Sequence, residues 1–130
     1  MELDRSGNDS VPTVTVVVPM RNEEAYIAKC LRSIVEQDYP KDRLEVLVID
    51  GLSDDRSRDI VLEFSTSHPH VRMLDNPKRI PSAAWNVGIQ KAKGNMVAIV
   101  SAHCRLAPDF ISQCVHRLLR EQNVDCVGGP

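Results

Sequence analysis

Short apolar runs rich in β-branched residues alternate with segments of helical apolar spacing from one end of the chain to the other. No other feature restricts the fold as much. Thr13–Val18 (TVTVVV) reads as a buried strand that stops at Pro19. Glu23–Gln37 follows, with Ile27, Leu31, Ile34 and Val35 on one helical face, Asn22 as its N-cap and Glu23 and Glu24 suited to its N-terminus. The unit then repeats. Strands are predicted at Leu44–Ile49, Val71–Leu74, Met96–Val100 and Val124–Val127. Helices are predicted at Arg56–Phe64, at Ser82–Lys93 between Pro81 and Gly94, and at Pro108–Glu121. Such alternation calls for an α/β layered fold with a mostly parallel sheet and right-handed crossovers. Residues 1–12 are polar and turn-rich and read as a flexible leader, which leaves 13–130 as the folded part.

Composition sets the outer bounds. With 130 residues and 42% hydrophobic content, the chain can form one domain with a real core. Sixteen basic against 18 acidic residues give a net charge of −2, which leaves no footprint for nucleic-acid binding. The start is polar rather than a signal peptide, and no run approaches a membrane span, so a soluble, cytoplasmic setting is expected. Cys30, Cys104, Cys114 and Cys126 form no CxxC pair and read as reduced thiols. Cys30, Cys114 and Cys126 read as small core residues, His68 and His70 as solvent-facing, and Trp85 as a core or sheet-facing side chain.

Parallel sheets of this kind bind ligands beyond the carboxyl ends of their strands, at a topological switch point. The segments there are Pro19–Glu24, Asp50–Asp55, Asp75–Pro81 and Ser101–Arg105. Together they carry carboxylates able to accept from a ribose or base, cations for phosphates and a histidine able to ligate a metal. That set suits a nucleoside diphosphate. Each loop taken alone also reads as ordinary helix capping and solvated charge. No G-x-G-x-x-G follows the first strand, and no P-loop or G-x-S-x-G elbow occurs, so dehydrogenase, P-loop NTPase and α/β-hydrolase chemistry are excluded. Cys104 beside His103 raises zinc, but the remaining cysteines fall on helices or strands and cannot supply three or four ligands.

Several motifs stand in a fixed order. They are Val16-Val17-Val18-Pro19-Met20-Arg21-Asn22-Glu23-Glu24, Val48-Ile49-Asp50-Gly51-Leu52-Ser53-Asp54-Asp55, Ala84-Trp85-Asn86-Val87-Gly88-Ile89, Ala92-Lys93-Gly94-Asn95 and Leu106-Ala107-Pro108-Asp109-Phe110. In this order and spacing the chain resembles the family 2 glycosyltransferases of GT-A fold, from about Val14 to Pro130. Asn76-Pro77-Lys78-Arg79-Ile80-Pro81, Ala102-His103 and Val127-Gly128-Gly129-Pro130 resemble the succinoglycan-type exopolysaccharide branch. The resemblance implies a truncated three-layer, Rossmann-like nucleotide-diphospho-sugar transferase fold. It also implies transfer of a sugar from a nucleotide diphosphate donor, a UDP-sugar above all, to a hydroxyl of a sugar or lipid-linked acceptor in polysaccharide or glycolipid synthesis.

Residue by residue, the resemblance places Pro19, Arg21, Asn22 and Glu23 along the base and ribose pocket, with Glu23 as its carboxylate contact. Asp50 contacts the base, and Gly51 stands where many relatives carry a second Asp. Lys78 and Arg79 lie near the diphosphate, the alternative being a solvated basic turn. The family's Asp-x-Asp reads Ser101-Ala102-His103 here. His103 then takes the position that ligates Mn²⁺ or Mg²⁺, the alternative being a solvated loop histidine, and Ser101 replaces a carboxylate. Asn86 and Gly88 let the third helix pack close to the donor site. In this family the general base lies past the Gly-Gly-Pro turn, so the chain reads as a donor-binding half without the acceptor half, with peripheral attachment at the inner membrane face in a longer form. The competing readings are a non-catalytic remnant or nucleotide-binding module, and a nucleotide-binding α/β domain from outside the family.

Overall fold

The computed structural model describes residues 11–120. The predicted strand Val124–Val127, Cys126, the Gly-Gly-Pro ending and most of the leader lie outside the described residues. Four strands, β1 (Val14–Met20), β2 (Leu44–Asp50), β3 (Val71–Asp75) and β4 (Met96–Ile99), form one sheet in the order β3-β2-β1-β4. All three pairings are parallel. The helices are α1 (Ile27–Val35), α2 (Ser57–Ser67), α3 (Pro81–Lys91) and α4 (Phe110–Arg120), and a single 3₁₀ turn at Lys41–Arg43 leads into β2.

Alternation along the strands sorts the two faces of the sheet. Val14, Val16, Val18, Val46 and Val48 point to one face, where they pack with Ile27, Leu31 and Ile34 of α1, Val61 of α2, and Ile111 and Val115 of α4. Val17, Leu47 and Ile49 point to the other face and pack against Ala84 of α3. β1 and β2 are buried on both sides, which is why their sequences run almost continuously apolar. The result is the expected three-layer α/β arrangement.

Gly88 sets the α3 layer. A Cβ there would lie 2.4 Å from Cγ1 of Val17, so only glycine allows the helix to sit this low. Gly94 does not end α3, which closes at Lys91. It is instead pressed against the start of β1, where an added Cβ would lie 2.7 Å from the Thr15 amide nitrogen.

Several boundaries differ from the sequence reading. β1 runs through Pro19 to Met20, with Pro19 in register with Ile49. Val17 accepts from the Val100 amide on the β4 side, so Pro19, two residues on, presents its nitrogen to that same side beyond the end of β4. No ladder bond is lost there, and proline is tolerated. Helix α1 starts at Ile27, not Glu23, and Asn22 does not cap it, because Asn22 has a φ of 54° and serves the neighbouring loop. Trp85 is 44% exposed rather than core, because Ala84 and Gly88 supply the sheet-facing positions of α3. His68 is half-buried and stacks on Phe64 at 4.4 Å, and His70 is half-buried with its Nε2 sealed and unpaired, so neither is a solvent-facing loop residue. Cys30 is in the core as expected, Cys114 is half-buried and Cys104 is exposed.

Candidate functional site

The chain leaves β1 towards β2 and β3, then returns past β1 to make β4. The switch point therefore lies between the ends of β1 and β4, and the residues that follow those two strands meet there. Glu23 comes after β1 and His103 after β4. Glu23 Oε2 lies 2.9 Å from His103 Nδ1 across the gap. Ser101 Oγ is 3.1 Å from the same imidazole nitrogen. Eighty residues apart in sequence, Glu23 and His103 are thus brought together with Ser101 by topology alone. Glu23 is mostly shielded, with 22% of its side chain exposed, whereas His103 is 61% exposed and open to a ligand.

The loops after β1 and β2 are fastened side by side. Arg21 Nη1 donates to the carbonyl oxygens of Gly51 at 2.5 Å and Leu52 at 2.9 Å. Asn22 Oδ1 accepts from the amides of Asp54 and Asp55, and the Asn22 amide donates to Ser53 Oγ. The Glu23 amide donates to Ser57 Oγ at 2.7 Å. Arg21 and Asn22, expected along a nucleoside pocket, spend these polar groups on the β2 loop and tie the two loops together. Burial raises the Asp55 carboxyl, but hydrogen bonds from Ser57 and from the Glu24 amide outweigh it and hold the group below its ordinary value.

Asp50 is fully buried at the end of β2. Its carboxylate accepts from Ser53 Oγ at 2.5 Å, from the Ser53 amide at 3.1 Å and from Arg58 Nη1 at 2.6 Å. Arg58 reaches across to Asp75 Oδ1 at 2.8 Å as well. The hydrogen bonds to Asp75 and Asp50 raise the Arg58 guanidinium above its ordinary value, so it carries its charge throughout. Asp50 therefore acts within the protein as the anchor of the Gly51–Ser53 turn, where Leu52 is held at a φ of 60°. Sequence reasoning missed Arg58 and placed Asp75 at a strand end without its partner. The signal available was that β2 and β3 both end in Asp, in register, and two adjacent strand-end carboxylates call for a shared cation.

The β3 loop closes the third side. Asn76 is buried and donates from its side chain to the Ile80 carbonyl. A Cβ on Gly51 would lie 3.3 Å from Arg79 Cα and 3.5 Å from Arg21 Cβ, so the loops after β1, β2 and β3 converge on that glycine. Lys78 and Arg79 are exposed, and their side chains make no hydrogen bond or ion pair among the described residues. Arg79 is held at a φ of 66°. Among the described residues, the three non-glycine positions of positive φ, Asn22, Leu52 and Arg79, all lie in these loops, which marks the region as one of stored backbone strain. No three His, Cys, Asp or Glu side chains among the described residues gather as a metal-ligand set. Glu23 and His103 are the pair that could contribute two ligands to an ion completed by other oxygens.

The sequence profile of glycosyl transferase family 2 matches residues 15–130. The chain belongs to this family. It is 34% identical over 122 residues to a dolichyl N-acetylglucosaminyl phosphate diacetamido-dideoxy-glucuronosyltransferase of Methanococcus voltae, covering 89% of this chain and 38% of that protein. It is also 34% identical over 121 residues to the glycosyltransferase AglE of Haloferax volcanii, covering 92% of this chain and 40% of that one. Among solved structures, the mannosyltransferase PcManGT of Pyrobaculum calidifontis, in complex with GDP-Man and Mn²⁺, superposes with a TM-score of 0.82 at 34% identity, covering 92% of this chain and 36% of that one. S. aureus TarS residues 1–349 in complex with UDP superposes with a TM-score of 0.76 at 25% identity, covering 91% and 38%. The fold is the GT-A fold of family 2. The chain spans about two-fifths of the length of these curated relatives.

Proposed function

We propose that residues 13–130 form the nucleotide-sugar-binding part of a glycosyltransferase that moves a sugar from a nucleotide diphosphate donor to a hydroxyl of a sugar or lipid-linked acceptor. The observation that carries this reading is the Glu23–His103 contact across the switch point, with the exposed cations Lys78 and Arg79 on the loop after β3. An imidazole and a carboxylate form a mixed N/O donor set, which suits Mn²⁺ better than Mg²⁺. With the diphosphate oxygens of the donor they would hold such an ion, which neutralises charge growing on the leaving nucleotide when it is bound. The metal in the mannosyltransferase neighbour supports that reading.

Each loop has its own part. Arg21, Asn22 and Asp50 keep the nucleoside side of the site in shape through carbonyl and amide contacts, which lowers the cost of ordering it around a ligand. Lys78 and Arg79 supply positive charge for the phosphates. Glu23 holds the His103 ring beside it, which keeps the two donor groups together. Ser101 contacts the same ring nitrogen but brings no negative charge. A UDP-sugar is the donor proposed from the sequence, and the GDP-Man in the mannosyltransferase makes guanosine the second arm of the test. The Asn76–Pro81 and Ala102-His103 motifs support a place in the succinoglycan-like branch.

Ser101 favours one competing reading, a nucleotide-binding module without transfer activity. Calorimetric titration with UDP and GDP, with and without Mn²⁺, tests the nucleotide site that both readings require. Metal-dependent binding weakened about tenfold or more in His103→Ala, and tightened in Ser101→Asp, is the expected result. No binding of either nucleotide contradicts the donor-site reading.

A further inference from the structure

A cavity of about 660 Å³ lies between the outer side of α1 and residues 105–108, beginning at the last residue of the loop after β4. Lys29 and Arg32 of α1 and Arg105 of the facing segment line it, together with one carboxylate, Glu36. All four side chains are exposed, and none of the three cations has an ion pair or side-chain hydrogen bond among the described residues. Arg32 sits in the last turn of α1, where a cation is favourable in any case. That position does not account for Lys29 or Arg105.

The facing wall is held by polar contacts from inside the molecule. Gln37 is 5% exposed. Its side-chain nitrogen donates to the Ala107 carbonyl at 2.6 Å and to the Ser33 carbonyl at 3.1 Å, and its oxygen accepts from the Ile111 amide at 2.9 Å. Ser33 Oγ accepts from the Leu106 amide at 3.0 Å, and the Asp38 amide donates to the Pro108 carbonyl at 2.9 Å. These contacts fix the spacing between α1 and residues 105–108, so Arg105 faces Lys29 and Arg32 across a groove of set width. Three unpaired cations around a concave space raise each other's energy, and a multiply charged anion relieves that repulsion.

We propose that this groove binds a phosphoryl group, of the diphosphate class, in a molecule other than the nucleotide donor. Two guanidinium forks and one ammonium match the oxygens of a phosphoryl group, which Arg recognises through paired hydrogen bonds and Lys as a point charge. The volume falls within the range of small-ligand sites. Glu36 marks one end of the groove and repels the anion there. The same short segment carries His103 at the donor site and Arg105 in the groove, so the two ligands would lie close together. The groove assignment does not need the donor reading to hold.

The test is binding of inorganic pyrophosphate to the whole chain in the presence of a chelator, and sedimentation of the chain with phosphatidylcholine vesicles made with and without phosphatidic acid. Pyrophosphate binding weakened about tenfold or more in Arg32→Gln/Arg105→Gln, and about 2- to 5-fold tighter in Glu36→Gln, supports a soluble phosphate ligand. Sedimentation that requires phosphatidic acid and is lost in the same double variant supports a lipid-borne phosphate. A control variant, Arg72→Gln/Lys91→Gln, removes equal charge on the α3 side and should leave both readouts unchanged. Binding in neither arm, binding that survives in Arg32→Gln/Arg105→Gln, equal loss in the control variant, or equal binding of glucuronate overturns the proposal.

Discussion

Asp50, Arg58 and Asp75 show how a single side chain can hold a site together. Asp50 is fully buried, and Arg58 bridges it to the exposed Asp75. Removing Arg58 leaves a buried carboxylate beside a second one. Arg58→Met is therefore expected to lower stability by about 2–3 kcal/mol, somewhat less than a fully buried pair because Arg58 is partly exposed. Asp50→Asn in the same chain should recover part of that loss. Urea unfolding of the single and double variants measures both, and additive losses would contradict the pairing. His70 gives a pH dependence. Burial first, then the nearby His68 and Lys41 charges, lower its pKa from 6.5. The unfolded chain then takes up the proton first as pH falls, so stability present above about pH 6.5 declines through that value towards the folded one. His70→Gln should shrink the difference in urea midpoint between about pH 7 and pH 5, and an unchanged difference would show that His70 is not responsible. The sequence left Arg58 unmarked and read His70 as solvent-facing, because Arg58 acquires its role from strand register and His70 from packing.

At the scale of elements, most of the architecture was legible. Continuous apolar runs identified β1 and β2, and Ile27, Leu31 and Ile34 identified the buried face of α1. The errors came where a residue serves a distant element. Asn22-Glu23-Glu24 has the form of a helix start, yet Asn22 binds the amides of Asp54 and Asp55 and the helix begins later. Pro19 looked like a strand stop because the shortness of its β4 neighbour was not visible in the sequence. Gly88 follows from the same packing logic. Val17 is fully buried beneath it, so Gly88→Ala must lift α3 or distort β1. We expect a loss of about 1–3 kcal/mol, typical of overpacking, measured by thermal or urea unfolding. A neutral substitution would mean that α3 sits further from the sheet than described.

Across the whole molecule, the sheet is unevenly covered. Helix α3 packs over β1 and β2, while Val97 and Ile99 of β4 are 42% and 45% exposed on that same side. Trp85 and Ile89 add exposed apolar surface on α3. A chain with this much apolar surface in water is expected to self-associate as concentration rises, and Val97→Thr/Ile99→Thr should reduce that tendency. Sedimentation velocity across a concentration series reads both. A wild-type chain that stays monomeric throughout would contradict the expectation. The four strand-end loops were legible as a candidate site because an α/β sheet presents its loops at one edge. Which side chains there remain free for a ligand was not, since Arg21, Asn22 and Asp50 turn out to hold the frame.

Hydrogen exchange in the presence of nucleotide and Mn²⁺ tests the central claim most directly. If the strand-end loops form a nucleotide-diphosphate site, saturating UDP or GDP with Mn²⁺ should slow exchange in 20–24, 50–55, 75–80 and 101–104 and leave the outer side of α2 unchanged. Binding without protection in those segments, or protection confined to other parts of the sheet, would contradict the account.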